Sequence, residues 1–187
     1  MIDNQLDRDN DDFISIRAIV DCPGGGRLVT LGAPGLMINH RGESWINPEG
    51  IDRTLEALTH RRVALLFLLA GDDDCTLGFR HMLRERVRRA GIAFITLPIV
   101  DFATPNRSWM RAWQRLSVPI SKYLENNQSI ALCCTYGAGR SGMIAAYLLN
   151  RLGRPLEEAL SELRQQFPES VESPLQEAWL YEQSSAR

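Results

Sequence analysis

The sequence predicts an α/β fold in three layers, with a central, mostly parallel sheet and helices packed on both sides. Three observations carry this expectation. Residues 63–69 and 129–133 are short, predominantly apolar runs, the composition of strands buried on both faces of a sheet. Segments of helical period alternate with such runs along the chain. The second run also passes through a glycine-containing loop straight into a helical segment.

The elements follow in chain order. Residues 13–20 and 27–31 read as strands joined by the turn Pro23-Gly24-Gly25-Gly26. Residues 32–47 mix Gly, Pro, His and Trp without a clear period. Residues 48–60 read as a helix, with Asn47 as N-cap and Pro48 at the first helical position, where a missing N–H costs nothing. After the 63–69 strand, Gly71-Asp72-Asp73-Asp74 reads as a solvated loop. Residues 76–90 read as a helix with Leu83 and Val87 on one face. Arg84, Arg86, Arg88 and Arg89 lie on the other face, expected to be solvated, and Gly91 closes the helix. Residues 92–97 form a strand and 98–106 a loop with two prolines. A long helix at 108–126, bent near Pro119, carries Trp109, Trp113 and Leu116 as a core stripe. Helical segments at 140–152, 155–167 and 174–184 complete the chain.

At 187 residues the chain suits one domain with a real core, placed at 13–187. Residues 1–12 are polar and acidic with no hydrophobic stretch, so they read as a flexible leader rather than a secretory signal. A composition of 44% hydrophobic and 24% charged residues is that of a globular protein. The formal net charge of -2 offers no general affinity for nucleic acid or anionic membranes, so any anion site has to be built locally. No stretch reaches the roughly 20 apolar residues of a membrane helix. Cys22, Cys75, Cys133 and Cys134 lack zinc-ribbon spacing, and adjacent cysteines suit an ordinary disulfide poorly. A reduced, cytoplasmic, monomeric chain is expected.

The informative stretch is Cys133-Cys134-Thr135-Tyr136-Gly137-Ala138-Gly139-Arg140-Ser141-Gly142. A loop between a buried strand and a helix N-terminus makes an anion site, because loop N–H groups turn inward and the helix end adds partial positive charge. Gly137 and Gly139 permit backbone angles and close approaches that side chains forbid. Arg140 supplies a planar fork matched to two phosphate oxygens. The same field favours a thiolate at Cys134, since cysteines beside cations or helix N-termini reach pKa values of roughly 3.5–7.5. One piece of backbone thereby holds a phosphate and activates a nucleophile.

This stretch resembles the Cys-x5-Arg-Ser/Thr signature of the protein tyrosine phosphatase superfamily. Within it the chain looks like the small dual-specificity phosphatases, especially the kinase-associated phosphatase subgroup and its bacterial relatives. The resemblance runs from Pro23 through the C-terminal helices. One position departs from the pattern: Cys133 stands where the family carries a His that orients the loop and tunes the thiolate.

The resemblance implies a phosphatase-type fold and residue roles. Cys134 is the nucleophile and Arg140 the phosphate clamp. Backbone N–H groups of Thr135, Tyr136, Gly137, Ala138 and Gly139 join Arg140 in binding substrate. The loop Val100-Asp101-Phe102-Ala103-Thr104-Pro105 resembles the subgroup's general-acid loop, which makes Asp101 the acid in the first step and the base in the second. Asp72, Asp73 and Asp74 are the weaker rivals. Ser141 is expected to hydrogen-bond the catalytic sulfur as well as cap the helix. Gln176, in a segment resembling one that packs near the active site, is read as a surface helix residue with water positioning as the alternative. Phe102 and Trp109 are candidates for the pocket wall, and Cys75 or Cys133 for a redox partner of Cys134.

The expected function is therefore a tyrosine or dual-specificity protein phosphatase working through a cysteinyl phosphate, without metal or organic cofactor. Its expected partner is a phosphorylated protein, not nucleic acid or membrane. Alternatives are a phosphatase of phosphoinositides or other small phosphate esters, a phosphoprotein-binding pseudophosphatase, and another Cys-x5-Arg chemistry such as arsenate reduction. Uncharged Thr135, Tyr136 and Ala138 weigh against a lipid substrate, and the Asp-Thr-Pro loop against arsenate reduction.

Overall fold

A computed structural model describes residues 14–38, 41 and 43–185. The leader expected at 1–12 lies outside these residues. Five strands form the main sheet: β1 (Ile16–Asp21), β2 (Arg27–Leu31), β5 (Val63–Leu68), β6 (Ala93–Thr96) and β7 (Ser129–Cys133). Their order is β1-β2-β7-β5-β6, with β2, β7, β5 and β6 parallel and β1 antiparallel on the edge. The mostly parallel three-layer expectation is borne out. The segment at 32–47 that showed no period holds a small antiparallel pair, β3 (Leu36–Ile38) and β4 (Ser44–Ile46).

Side-chain alternation along the buried strands builds two cores. Val29, Leu31, Leu66, Leu68 and Ala131 face one side, where they meet α1 (Pro48–His60) and α2 (Phe79–Arg89) through Ile51, Leu55, Leu58, Phe79, Leu83 and Val87. Leu28, Leu65, Phe67, Ile130 and Leu132 face the other. That side carries α3 (Arg107–Glu125), α4 (Gly139–Arg151), α5 (Leu156–Gln166) and α6 (Pro174–Ser185). Burying each such aliphatic side chain stabilises by about 1.5–3 kcal/mol before ordering entropy is counted. The β1 edge is closed by Gln166, whose amide accepts from the Ile19 N–H and donates to the Ile19 carbonyl, both at 2.8 Å.

Helix starts follow local chemistry. Asn47 caps α1 as expected, its side chain accepting from the Glu49 N–H at 3.0 Å. Asn106 caps α3 by accepting from the Trp109 N–H at 2.9 Å. Helix α2 begins three residues later than the sequence suggests, because Gly78 at φ +81° ends the preceding turn. Its arginine face is partly tied down rather than simply solvated: Arg86 pairs with Asp52, Arg80 with Asp72, and Arg84 lies over the Phe94 ring. Among the described residues no helix is long and apolar enough to cross a membrane.

Register fixes where chemistry can happen. Leu31, Cys133 and Leu68 pair across one row, and Thr96 pairs with Leu68, so four parallel strands end together. The chain runs from β5 through α2 outward to β6, then returns through α3 on the opposite face to β7. That reversal opens a crevice at the carboxyl ends of β5 and β7, the position at which open α/β sheets take ligands.

Candidate active site

Cys134 is the first residue after β7 and Arg140 lies in the first turn of α4. Between them the loop folds back on the sheet. The Gly137 N–H donates to Cys134 Sγ at 3.2 Å, so at least one loop amide points at the sulfur. Gly137 has φ +95°, and a Cβ there would stand 2.5 Å from the Gly32 nitrogen. A Cβ on Gly139 would stand 2.8 Å from Gln176 Oε1. Gly137 is therefore required both by space and by backbone angle, whereas a side chain at Gly139 would displace the Gln176 amide.

Arg140 is 2% exposed and ties four chain segments together. Its Nη1 pairs with Asp74 Oδ2 and donates to the Ile99 carbonyl at 3.1 Å. Its Nη2 donates to Thr135 Oγ1 at 3.0 Å and stands 3.1 Å from Asp101 Oδ1. Its Nε is buried with no partner among the described residues. Burial alone would pull the guanidinium pKa down. The hydrogen bond that it donates to Asp74 and the charges of Cys134 and Asp101 more than offset it, and the pKa lies above the ordinary arginine value.

Three further side chains complete the site, and none was assigned there on sequence grounds alone. Asp74 is not a solvated carboxylate. It turns inward, accepts the Gly71 N–H at 2.7 Å and anchors Arg140, while Asp73 stays exposed and Asp72 pairs with Arg80. Gln176 is not a surface residue: it is buried, its Nε2 donates to the Ala103 carbonyl at 3.2 Å, and its Oε1 has no partner among the described residues. It bridges the Asp101 loop to Gly139. Arg17, on β1, clamps the back of the loop, with Nε donating to the Tyr136 carbonyl at 3.0 Å. Its guanidinium lies 5.2 Å from the ring centres of both Tyr136 and Phe167.

The remaining candidates fall as follows. Asp101 is exposed and accepts the Phe102 N–H at 3.1 Å. Ser141 is fully buried; its hydroxyl reaches the Leu31 carbonyl at 3.4 Å, the same carbonyl that accepts the Cys134 N–H at 3.3 Å. Thr135 contributes its hydroxyl as well as backbone, by receiving Arg140. Trp109 is buried in the core, as its spacing with Trp113 suggests. It stacks on Trp113 in the core and donates to the Leu97 carbonyl at 3.1 Å, which anchors the start of the Asp101 loop. Phe102 stands at the surface with φ +56°.

All four cysteines are free thiols. Strand alternation sends Cys133 into the apolar layer beneath α1 and α2, and burial pushes its pKa well above the usual thiol value. Its thiol reaches the Gly32 carbonyl at 3.5 Å. Burial and the Asp74 charge push Cys75 up to about 11. Both stand as protonated thiols at neutral pH.

A family profile described as polymorphic toxin system, DSP-PTPase phosphatase matches residues 47–153, which include Cys134, Arg140 and Asp101. The chain belongs to this DSP-PTPase phosphatase family. No curated protein sequence matches it. Solved structures match over nearly the whole fold. One is kinase associated phosphatase with its catalytic-site cysteine replaced by serine, at TM-score 0.69 and 19% identity, covering 93% of this chain and 97% of that one. Another is Tk-PTP in its active form, at TM-score 0.61 and 22% identity, covering 92% and 98%. A third is PTPMT1 in complex with PI(5)P, at TM-score 0.56 and 12% identity, covering 90% and 97%. These neighbours show that the DSP-PTPase chain has the protein tyrosine phosphatase fold.

The Asp74 anchor makes a direct prediction. Asp74→Asn removes the charge partner of a buried guanidinium, so stability falls by roughly 1–3 kcal/mol, read as a shift in urea midpoint. For a phosphate monoester the variant is expected to raise KM more than it lowers kcat, because the Arg140 guanidinium loses its Asp74 brace.

Proposed function

We propose that this chain is a cysteine-dependent protein phosphatase of the tyrosine or dual-specificity type, with residues 13–187 acting as one catalytic domain in the cytoplasm. The observation that carries the reading is the convergence of Cys134 Sγ, the Gly137 N–H, Arg140 and Asp101 at the carboxyl ends of the parallel strands.

The chemistry runs in two steps. Cys134 attacks phosphorus in line, forming an S–P bond as the P–O bond to the leaving group breaks. The loop amides and Arg140, whose Nε has no partner among the described residues, hold the phosphoryl oxygens, with Asp74 and Ile99 fixing the Nη1 side. Asp101, 3.1 Å from Nη2, gives its proton to the leaving oxygen. Water then attacks the cysteinyl phosphate, Asp101 takes the proton, and the thiolate leaves. In this reading the Ser141 hydroxyl, which reaches the Leu31 carbonyl, rotates to hydrogen-bond the departing sulfur. The Oε1 of Gln176, without a partner among the described residues, orients the water. No metal or organic cofactor takes part.

A second reading is a phosphoinositide phosphatase, favoured by the structural likeness to PTPMT1, which was solved with PI(5)P. The five residues Thr135, Tyr136, Gly137, Ala138 and Gly139 carry no cation that would meet additional headgroup phosphates, which favours a protein substrate. A pseudophosphatase reading rests on Cys133 in place of the family's His.

Hydrolysis of para-nitrophenyl phosphate in the presence of chelator tests the proposal. Turnover is expected in the wild type, none in Cys134→Ser, and a kcat lower by a hundredfold or so in Asp101→Asn. No turnover in the wild type, with recovery in Cys133→His, would favour the binding-module reading instead. Gln176→Ala is expected to slow only the second step. Its kcat and KM then fall together by about tenfold, kcat/KM stays level, and a burst of para-nitrophenol precedes the steady state.

A further inference from the structure

The rim of the Cys134 cup has a chemical character of its own. Among the described residues eight large apolar side chains are exposed, and five of them, Leu77, Val100, Phe102, Tyr136 and Leu175, sit on segments bound to the cup. Leu77 follows the Asp74 anchor, Val100 and Phe102 flank Asp101, Tyr136 belongs to the phosphate loop, and Leu175 precedes Gln176. Elsewhere such side chains are scattered singly, which needs no explanation; a concentration around one site marks a contact surface.

Phe102 makes the point most sharply. Its ring is 60% exposed, so the core does not require it, and its backbone sits at φ +56°, a conformation glycine adopts without penalty and an aromatic residue does not. Tyr136 is held upright by two contacts, its hydroxyl donating to Glu169 at 2.5 Å and its ring packed against Arg17.

Charge selects the partner. The four segments at 70–78, 97–106, 135–139 and 167–173 contain six carboxylates, Asp72, Asp73, Asp74, Asp101, Glu169 and Glu172, and no lysine or arginine. Arg140 is behind the rim and Arg17 is committed to the Tyr136 carbonyl. A polyanionic headgroup on an anionic bilayer would meet like charge, whereas a chain with apolar and basic side chains would meet complementary groups.

We propose that the rim is a peptide-docking surface that selects phosphoproteins whose phosphorylated residue is flanked by large apolar and basic side chains. The inference rests on the phosphatase reading of the Cys134 cup and names its substrate class. The apolar neighbours of the phosphoresidue cover Phe102, Val100 and Leu77, and the basic ones meet Asp73, Glu169 and Glu172, while a single phosphate enters the cup.

The test uses phosphotyrosine and phosphoserine peptides of equal length, flanked by leucine and arginine, by leucine and glutamate, or by serine alone, with soluble and vesicle-borne phosphatidylinositol 5-phosphate alongside. Turnover by the full chain is measured beside para-nitrophenyl phosphate, and binding to Cys134→Ser by fluorescence anisotropy. The leucine–arginine peptide is expected to exceed the other peptides and both lipid forms at least tenfold in kcat/KM and in affinity. Phe102→Ser and Leu77→Ser are each expected to reduce its kcat/KM, relative to that of para-nitrophenyl phosphate, at least fivefold. Equal rates and affinities across the peptides, or a lipid that exceeds the best peptide, overturn the inference. Absence of all Cys134-dependent turnover with the affinity ranking intact would overturn the enzyme reading while supporting the docking surface.

Discussion

A buried guanidinium is the constraint on which the rest depends. Arg140 is almost fully excluded from solvent, and a charge placed there is tolerable only with several close partners. Asp74, Asp101, the Ile99 carbonyl and the Thr135 hydroxyl meet four of its directions. Those partners come from the loops after β5, β6 and β7, so one side chain helps to set the relative position of three loops. The Nε, without a partner among the described residues, is a buried donor that a phosphate oxygen would satisfy in the proposed function. Stability and the proposed anion recognition thus draw on the same charge.

The sheet makes this arrangement possible. Four parallel strands end in one row, and the reversal of connection between β5 and β7 leaves the loops free to converge above it. Helix α4 is buried along most of its length between the sheet and the α5 and α6 helices, which fixes the direction in which its N-terminus points. The C-terminal segment closes the far side: the Val171 N–H donates to the Ala138 carbonyl at 3.3 Å, and Gln176 spans from Gly139 to Ala103. Arg164 holds that segment in turn by donating to the Ser170 and Val171 carbonyls while pairing with Glu177. The loop is therefore braced from in front by carboxylates and from behind by Arg17.

Most of the architecture was legible in the sequence because it rests on local patterns. Strands buried on both faces read as apolar runs, and Cys134, its glycines and Arg140 lie in one contiguous segment whose geometry follows from its own backbone. What was not legible depends on distant contacts. Asp74 reaches Arg140 from 66 residues away, and its choice over Asp72 and Asp73 is made by a turn in which its carboxylate takes the Gly71 N–H. Gln176 lies at helical spacing from buried Trp179 and Leu180, but its side chain is polar and its burial comes partly from facing the phosphate loop, so no apolar signal announces it. The β3 and β4 strands are three residues each, too short for alternation to register.

Binding of tungstate, a phosphate-like oxyanion, to the unliganded chain by isothermal calorimetry tests the central claim most directly. The account predicts one site per chain, with affinity reduced at least tenfold in Arg140→Lys, since an ammonium cannot reproduce a two-pronged fork braced by Asp74. Equal affinity in the wild type and Arg140→Lys would contradict it.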